Sequence, residues 1–328
     1  MGDRVFTIGI LGASHIAPLA VIRPARRRGV RLGAVASRRA GAAAAYAEIQ
    51  HIERAYGTYE ELLADSSIDL VYNSLPPSEH ARWSIASLRA GKHVLCEKPF
   101  AMNATEAREM QAAARESGRR VIEAFHDRYH PLSHQIDAIV NSGRLGEIVE
   151  IRADFSVDMP FAETSIRHDP KLGGGALMDL GCYPVHWVRT LVGEEPRVTF
   201  AEAALNPLGA DSSIAARLEF PSGIAAQVSC TFNGGQPSST MDVIGTRGDM
   251  HIKNLVFPSQ GHSISVTRDG LTWMSTVGGR ETFDHQLDAV VNGIASGEPL
   301  LTEDDDPIHN MEVVDAIYAA AGLDRTWV

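Results

Sequence analysis

The chain has 328 residues, a net charge of −11, and a composition of 44% hydrophobic and 22% charged residues. At about 150 residues per domain this length predicts two domains, and the composition is that of a globular protein, which excludes disordered and fibrous classes. The negative charge disfavours nucleic acid as a partner, because it would repel phosphate backbones. No long run of apolar residues occurs, so we expect no membrane-spanning segment.

The three cysteines, Cys96, Cys182 and Cys230, are far apart in the chain. They show neither CxxC nor metal-ligand spacing, so we expect no disulfide framework and no bound metal. The first residues lack the layout of a signal peptide. These features predict a cytoplasmic protein.

Short apolar runs alternate with helical patterns over the first 125 residues. The predicted strands are Val5–Leu11, Leu32–Ala36, Leu70–Leu75, His93–Cys96 and Val121–Phe125, and the predicted helices are Ile16–Arg28, Ala40–Gln50, Ser78–Ala90 and Asn103–Ser117. Such alternation indicates βαβ units and a parallel sheet covered on both faces. We therefore predict that residues 1–125 form a dinucleotide-binding Rossmann domain.

The pattern changes after Phe125. A predicted helix at Pro131–Ser142 is followed by a series of strands, by one helical insertion at Gly173–Leu191 and by two closing helices. The predicted strands are Ile148–Val157, Arg197–Ala204, Ser213–Phe220, Ile224–Phe232, Ser239–Ile244, Asp249–Ile252 and His262–Arg268, and the closing helices are Glu281–Ala295 and Pro307–Ala321. This succession indicates an α+β domain at 126–328 with an open, mostly antiparallel sheet.

A glycine-containing turn, Ile8–Ala17, follows the first predicted strand and opens the first helix. Gly9 and Gly12 would allow a tight turn near a pyrophosphate, and the helix N-terminus would supply N–H groups to it. The spacing departs from GxGxxG, and an ordinary strand–turn–helix remains the alternative. The candidate cofactor-binding residues in this turn are Gly9, Gly12, Ala13, Ser14, His15 and Ile16.

The end of the second predicted strand distinguishes NADP from NAD. NAD-binding domains place an acidic residue here to bind the ribose hydroxyls, whereas this chain has Ser37 and Arg38. The serine can hydrogen-bond a 2′-phosphate, and the guanidinium can pair with it through two N–H groups. We predict a preference for NADP over NAD. The alternative is a solvated basic turn.

The stretch Gly91–Pro99, GKHVLCEKP, resembles the signature of the Gfo/Idh/MocA oxidoreductase family, and Glu123–Pro131 and Gly173–Tyr183 extend the resemblance. The family implies a Rossmann domain and a C-terminal α/β domain whose open sheet commonly makes oligomer contacts, here a homodimer or homotetramer. It implies that Lys98 is catalytic and that Glu97 helps to hold the nicotinamide ribose. The further cofactor-binding candidates are Leu75, Pro76 and His80, and His80 is equally compatible with a helix surface.

The segment Gly173–Tyr183 contains the other candidate catalytic residues. If its glycines lead into a helix, Asp179 and Tyr183 are four residues apart and share one face. Many family members have His at the Tyr183 position. The tyrosine version resembles the glucose–fructose oxidoreductase, xylose dehydrogenase and dihydrodiol dehydrogenase branch, in which Tyr is taken as the acid/base. The candidate substrate residues are Arg128, Tyr129, Arg167, His168 and His186.

These features predict an NADP-dependent oxidoreductase that transfers hydride between nicotinamide and a sugar, a polyol or a related cyclic alcohol or carbonyl compound. A non-catalytic nucleotide-sensing regulator on the same fold is the alternative from another class. It has no need of Lys98, Asp179 and Tyr183, all of which are present. Reduction of an enone or imine is a third possibility, against which these residues argue only weakly.

Overall fold

The computed structural model describes residues 5–323, and they divide into two units. Unit 1 contains residues 5–125 and 283–307, and unit 2 contains residues 126–282 and 308–323. The predicted domain boundary at residue 125 places 283–307 in the second domain, whereas the structure groups this segment with the first unit. Within residues 5–323, no helix has both the length and the apolar composition needed to cross a bilayer.

Unit 1 is built on a six-stranded parallel sheet with the strand order β3-β2-β1-β4-β5-β6. Its strands are β1 Thr7–Leu11, β2 Arg31–Ala36, β3 Arg54–Tyr56, β4 Leu70–Asn73, β5 His93–Cys96 and β6 Val121–Glu123. Every residue of β1 and β4 is buried, as expected for central strands covered on both faces. The Rossmann part of the predicted fold is therefore confirmed.

The helices of unit 1 lie between these strands. They are a π-helical turn Pro18–Ile22 that continues into α1 Arg23–Arg28, then α2 Ala42–Ile49, α3 Tyr59–Ala64, α4 His80–Arg89 and α5 Ala104–Ser117. The helix α5 begins as its sequence indicates, because the Asn103 side chain accepts a hydrogen bond from the Glu106 N–H at 2.9 Å. A buried cluster that includes Leu62, Ile68 and Trp83 packs against the sheet.

Two elements of unit 1, β3 and α3, were not predicted. The strand β3 has three residues, one of them Arg54, and is too short to show a periodicity. The helix α3 carries a capping box, in which the Thr58 hydroxyl and the Glu61 carboxylate bond each other's backbone N–H groups. This Thr-x-x-Glu pattern was a usable signal for a helix start.

In the described part of unit 2, the strands form an eight-stranded sheet with the order β14-β13-β12-β11-β7-β10-β9-β8. Among these strands, only β7 and β10 pair in parallel. The strands are β7 Ile148–Asp158, β8 Arg197–Leu205, β9 Asp211–Glu219, β10 Ala225–Thr231, β11 Asn233–Gly245, β12 Asp249–Lys253, β13 Ser263–Arg268 and β14 Leu271–Ser275. The predicted open, mostly antiparallel sheet is confirmed. The strand β14 was not predicted; all of its residues are exposed.

The remaining helices are α6 Pro131–Asn141, a π-helical turn Leu177–Gly181 that continues into α7 Cys182–Val192, α8 Thr282–Ser296 and α9 Asp306–Ala320. The helix α7 packs against β7 and β10. The side chains of Ile151, Ala153 and Phe155 on β7 are buried, whereas Arg152 between them is exposed. This alternation leaves one face of the unit 2 sheet polar and uncovered within the described chain.

Candidate functional site

The turn after β1 is held beside the end of β2. Gly12 has a φ of +93°, a conformation that favours glycine, and its N–H donates to the Ala36 carbonyl at 3.0 Å. The Ser14 hydroxyl accepts from the Ala17 N–H at 3.3 Å, where the first helical segment starts. Ala13 and Ile16 are half-buried and His15 is exposed.

Gly9 has a different structural role from Gly12. It lies inside β1, and an added Cβ would lie 2.9 Å from the Leu62 Cδ2 atom. The close packing of α3 on the sheet therefore explains why glycine occupies this position.

Ser37 and Arg38 follow β2 directly, so the backbone bond from Gly12 brings the glycine turn next to them. The Arg38 side chain is 56% exposed and lies 3.4 Å from a Glu79 carboxylate oxygen. Its guanidinium also lies over the Tyr59 ring, 5.4 Å from the centroid. This arrangement fits a dinucleotide, because a glycine turn for the pyrophosphate and a basic side chain for a 2′-phosphate are adjacent.

A buried hydrogen bond orients Glu97 at the carboxyl end of β5. The Tyr72 hydroxyl, on the neighbouring strand β4, donates to Glu97 Oε1 at 2.5 Å. Burial, and then the adjacent Glu97 charge, raises the pKa of Tyr72 well above its usual value, so the phenol keeps its proton and remains a donor. Lys98 follows Glu97 and is half-buried. Ligands bind at this edge of open α/β sheets.

His80 is buried, with its ring nitrogens 2.9 Å from the Pro99 carbonyl and 2.8 Å from the Leu75 carbonyl. Burial lowers the pKa of His80 to about 4. The ring is therefore neutral near pH 7 and donates to one of the two carbonyls. His80 thus links the segment after β4, where Pro76 is half-buried, to the segment after β5, and the helix-surface alternative is wrong.

In unit 2, the segment 173–175 brings Arg167 to Asp179. The Gly175 N–H donates to the Arg167 carbonyl at 2.9 Å, and a Cβ on Gly174 would lie 2.7 Å from the Ile166 carbonyl oxygen. The Arg167 Nε then donates to Asp179 Oδ2 at 3.0 Å. The glycines thus permit a close approach of this chain's own backbone. Asp179 lies within the π-helical turn, a feature often found at functional sites.

Tyr183, in the first turn of α7, is 3% exposed. Its hydroxyl lies 3.2 Å from His126 Nε2, and His126 Nδ1 lies 2.7 Å from the Thr282 hydroxyl. All three side chains are buried and belong to unit 2, whereas Lys98 belongs to unit 1. The rings of Phe155 and Phe257 lie 5.6 Å from those of Tyr183 and His126 respectively.

The predicted substrate residues of unit 2 are mostly buried. Arg128 pairs with Asp137 at 2.9 Å, and His168 lies between the rings of Phe161 and Phe232, with centroids 5.4 and 5.2 Å away. Tyr129 and His186 are also buried. Of the five candidates, Arg167 contacts a predicted catalytic side chain, through its hydrogen bond to Asp179. Within residues 5–323, no group of three or more His, Cys, Asp or Glu side chains is arranged to hold a metal ion.

Tyr72, His126 and Thr282 contact predicted site residues but are not among the candidates that the sequence indicates. Tyr72 had a signal, since a phenol in a strand buried on both faces needs a hydrogen-bond partner. His126 lay in a segment already singled out, but its partners are 57 and 156 residues away in the chain. No local pattern could have identified Thr282.

Comparison with known proteins agrees with both units. Residues 6–125 match the model of an oxidoreductase family with an NAD-binding Rossmann fold, and residues 133–251 match the GFO/IDH/MocA C-terminal domain. The chain is 33% identical over 316 residues to a D-xylose 1-dehydrogenase (NADP(+)) of Haloferax volcanii, covering 95% of this chain and 96% of that protein. It is 36% identical over 225 residues to a trans-1,2-dihydrobenzene-1,2-diol dehydrogenase of Xenopus laevis, covering 68% and 67%.

Two solved structures share the whole fold. An aldose-aldose oxidoreductase from Caulobacter crescentus, complexed with glycerol, superposes with a TM-score of 0.89 at 27% identity, covering 97% of this chain and 98% of that chain. A 3-ketoreductase from Actinomadura kijaniata, in complex with NADP and TDP-benzene, superposes with a TM-score of 0.88 at 25% identity, covering 96% and 98%. The chain belongs to the Gfo/Idh/MocA family of NAD(P)-dependent oxidoreductases.

Proposed function

We propose that this protein is an NADP-dependent dehydrogenase or reductase acting on a sugar, a polyol or a related cyclic alcohol or ketone. The observation that carries the proposal is the oriented Glu97 carboxylate beside Lys98 at the carboxyl end of β5. The names of the relatives, a D-xylose dehydrogenase, a dihydrodiol dehydrogenase and an aldose-aldose oxidoreductase, support this substrate class. The D-xylose dehydrogenase is NADP-linked and the 3-ketoreductase structure contains NADP, which supports NADP as the cofactor here.

We assign cofactor binding to residues 1–125 and substrate binding to residues 126–328. Gly12 and the following turn would hold the pyrophosphate, Ser37 and Arg38 the 2′-phosphate, and Glu97 the nicotinamide ribose. The nicotinamide, when bound, supplies or accepts the hydride.

The chain's own residues handle the proton. Lys98 stabilises negative charge on the reacting oxygen, and Tyr183 exchanges a proton with that oxygen. Asp179, with Arg167 bonded to its carboxylate, supports this proton exchange. The roles of Arg128, Tyr129, His168 and His186 toward substrate stay proposals. Tyr129, His168 and His186 are buried, which favours shaping the substrate site over direct contact.

An NADP- and NADPH-linked activity screen tests this function. The panel should contain aldoses including D-xylose, ketoses, inositols and trans-dihydrodiols, with NAD and NADH in parallel. We expect turnover with at least one member of the panel and a preference for NADP. A nucleotide-sensing regulator would bind NADPH with no turnover on any member, and that result would contradict the proposal.

We also propose a homodimer or homotetramer formed through the unit 2 sheet. The uncovered face of this sheet and the exposed Leu271, Trp273 and Met274 of the edge strand β14 support self-association. Light scattering at micromolar concentration should give a mass of two or four chains, and a 35.4 kDa monomer would refute the proposal.

We place the protein in the cytoplasm, because Cys96, Cys182 and Cys230 are all buried free thiols, which suit a reducing compartment. Recovery of the protein from the periplasmic or extracellular fraction of the source cells would contradict this placement.

A further inference from the structure

The hydrogen-bonded series Tyr183–His126–Thr282 joins a phenol, an imidazole and a hydroxyl within unit 2. The Tyr183 oxygen lies 3.2 Å from His126 Nε2, and His126 Nδ1 lies 2.7 Å from Thr282 Oγ1. The three side chains are 3%, 3% and 1% exposed. Bulk water therefore has little access to either bond, and a proton on the phenol has a direct neighbour to move to.

Resting on the proposed function, we propose that His126 is the proton acceptor and donor behind Tyr183 and that the Thr282 hydroxyl accepts from Nδ1–H in the imidazole tautomer that performs this role. In this tautomer Nδ1–H donates to the Thr282 hydroxyl oxygen, so that the Nε2 lone pair faces the Tyr183 hydroxyl. A neutral imidazole has one donor and one acceptor nitrogen, so Nε2 is the acceptor whenever Nδ1 carries the proton.

The step balances for oxidation of an alcohol. The substrate O–H proton passes to the Tyr183 oxygen while the Tyr183 proton passes to His126 Nε2, and the carbinol hydride leaves for C4 of NADP⁺. The products are a carbonyl compound, NADPH and a His126 imidazolium. After the carbonyl compound leaves, Tyr183 releases its proton to water in the vacated substrate site and takes back the extra proton of His126. Reduction follows the same steps in reverse, with the imidazolium supplying the proton.

The packing of both rings suits a short relay. The Phe257 ring lies 5.6 Å from the His126 ring at an interplanar angle of 31°, and the Phe155 ring meets Tyr183 edge-on at 80°. These contacts limit rotation of the two side chains, so the distance between the Tyr183 hydroxyl oxygen and His126 Nε2 stays nearly constant. A proton relay depends on such fixed distances.

Two substitutions at His126 separate the relay from simple packing. His126→Phe keeps a ring but removes both hydrogen bonds, and His126→Gln keeps an amide at the Tyr183 hydroxyl but cannot hold an additional proton. General acid–base groups are typically worth 10²–10⁴-fold in rate, so a group one step removed should account for a loss of roughly 10- to 100-fold in kcat for both variants. Because binding contacts are left in place, KM and NADPH affinity should change by less than about threefold.

Thr282 provides a conservative pair that tests the tautomer. Thr282→Val removes the acceptor for Nδ1–H, and a lost hydrogen bond of about 1 kcal/mol corresponds to roughly a fivefold lower kcat. Thr282→Ser retains the hydroxyl, and we expect kcat within about twofold of native. If His126 variants fail to fold, this pair still decides the question: equal kcat for Val and Ser would overturn the proposal.

The most specific readout is kcat measured across mixtures of H2O and D2O. If two protons move in the rate-limiting step, kcat of the native enzyme should depend on the deuterium fraction along a curve. In His126→Gln, where one proton moves, the dependence should be a straight line. A curve unchanged in His126→Gln would refute the relay. His93→Gln is the matched control, since its Nδ1 accepts a backbone N–H from Arg120 at 3.1 Å in unit 1, and it should keep native kcat and the native curve.

The relay and the proposed function fail in different ways. If Tyr183→Phe retains native turnover, Tyr183 does not exchange the proton with the reacting oxygen, and the proposed relay is wrong as well. If Tyr183→Phe loses activity while His126→Gln and Thr282→Val keep native kcat, only the relay is wrong.

Discussion

The preference for NADP depends on one partly exposed arginine and one carboxylate beside it. The Arg38 side chain is 56% exposed and lies 3.4 Å from Glu79, a long contact that a 2′-phosphate can displace. A charge-assisted hydrogen bond contributes about 1.5–3 kcal/mol, and solvent screening at this exposure favours the lower end. Since 1.4 kcal/mol is tenfold in affinity, Arg38→Ala should weaken NADP binding by roughly 10-fold.

Glu79→Gln is the matched variant. Trp83 Nε1 donates to Glu79 Oε2 at 2.8 Å, a bond that a glutamine oxygen can keep, while the charge that competes with phosphate is removed. Exposed ion pairs are worth about 0.2–1 kcal/mol, so NADP affinity should rise by roughly 1.4- to fivefold.

Calorimetry with NADP and NAD, at low and physiological salt, measures these changes directly. NAD affinity should stay within about twofold of native in both variants, because NAD has no 2′-phosphate. Equal NADP and NAD affinities in the native protein would refute the reasoning, as would an Arg38→Ala variant that weakens both cofactors equally.

Three further predictions concern the framework of the site. Burial lowers the pKa of His80 from an ordinary 6.5 to about 4 in the folded protein. Between these two pH values the unfolded chain binds a proton at His80 and the folded protein does not. This difference costs almost no stability above pH 6.5 and about 2 kcal/mol near pH 5. Urea unfolding of His80→Gln should show a correspondingly weaker loss of stability from pH 7 to 5, and an unchanged pH slope would contradict this. Tyr72→Phe removes the donor to the buried Glu97 and should lower the free energy of unfolding by about 1–3 kcal/mol; no change in the urea midpoint would argue against that bond. Gly9→Ala places a methyl group 2.9 Å from Leu62 and should lower the free energy of unfolding by about 1–3 kcal/mol. Thermal unfolding measures this change, and an unaffected melting temperature would mean that α3 can shift away.

The fold class could be predicted because most of the strands and helices show the hydrophobic periodicity of their type. The five apolar runs of the first 125 residues became parallel strands with ends shifted by at most two residues. Two of the three missed elements lack this signal: Arg54–Tyr56 is too short, and Leu271–Ser275 is exposed along its whole length. The third, Tyr59–Ala64, had a capping box as its only clear signal. The predicted helix at Gly173–Leu191 begins instead with a π-helical turn at Leu177, because Gly174 packs against the backbone of Ile166 and Arg167 and Gly175 packs against the Asp211 side chain.

The candidate site was predictable only where a local motif carried it. Glu97 and Lys98 follow a strand within one motif, and Ser37 and Arg38 follow another. The groups that orient them, such as Tyr72 for Glu97, come from a neighbouring strand and require the sheet order to be known. His126 and Thr282 are further from prediction, because tertiary folding alone brings them to Tyr183.

The most direct test of the central claim is the single-turnover rate of hydride transfer in Lys98→Met, Tyr183→Phe and the double variant, measured with the substrate found in the screen. Each single change should lower the rate by 10²–10⁴-fold, typical of a general acid or base, while NADPH affinity stays within about threefold. The double variant should lose little more than either single one, because groups that act as a unit are strongly non-additive. A Lys98→Met protein that keeps more than about a tenth of the native rate, well outside that range, would contradict the account, and so would losses that simply multiply in the double variant.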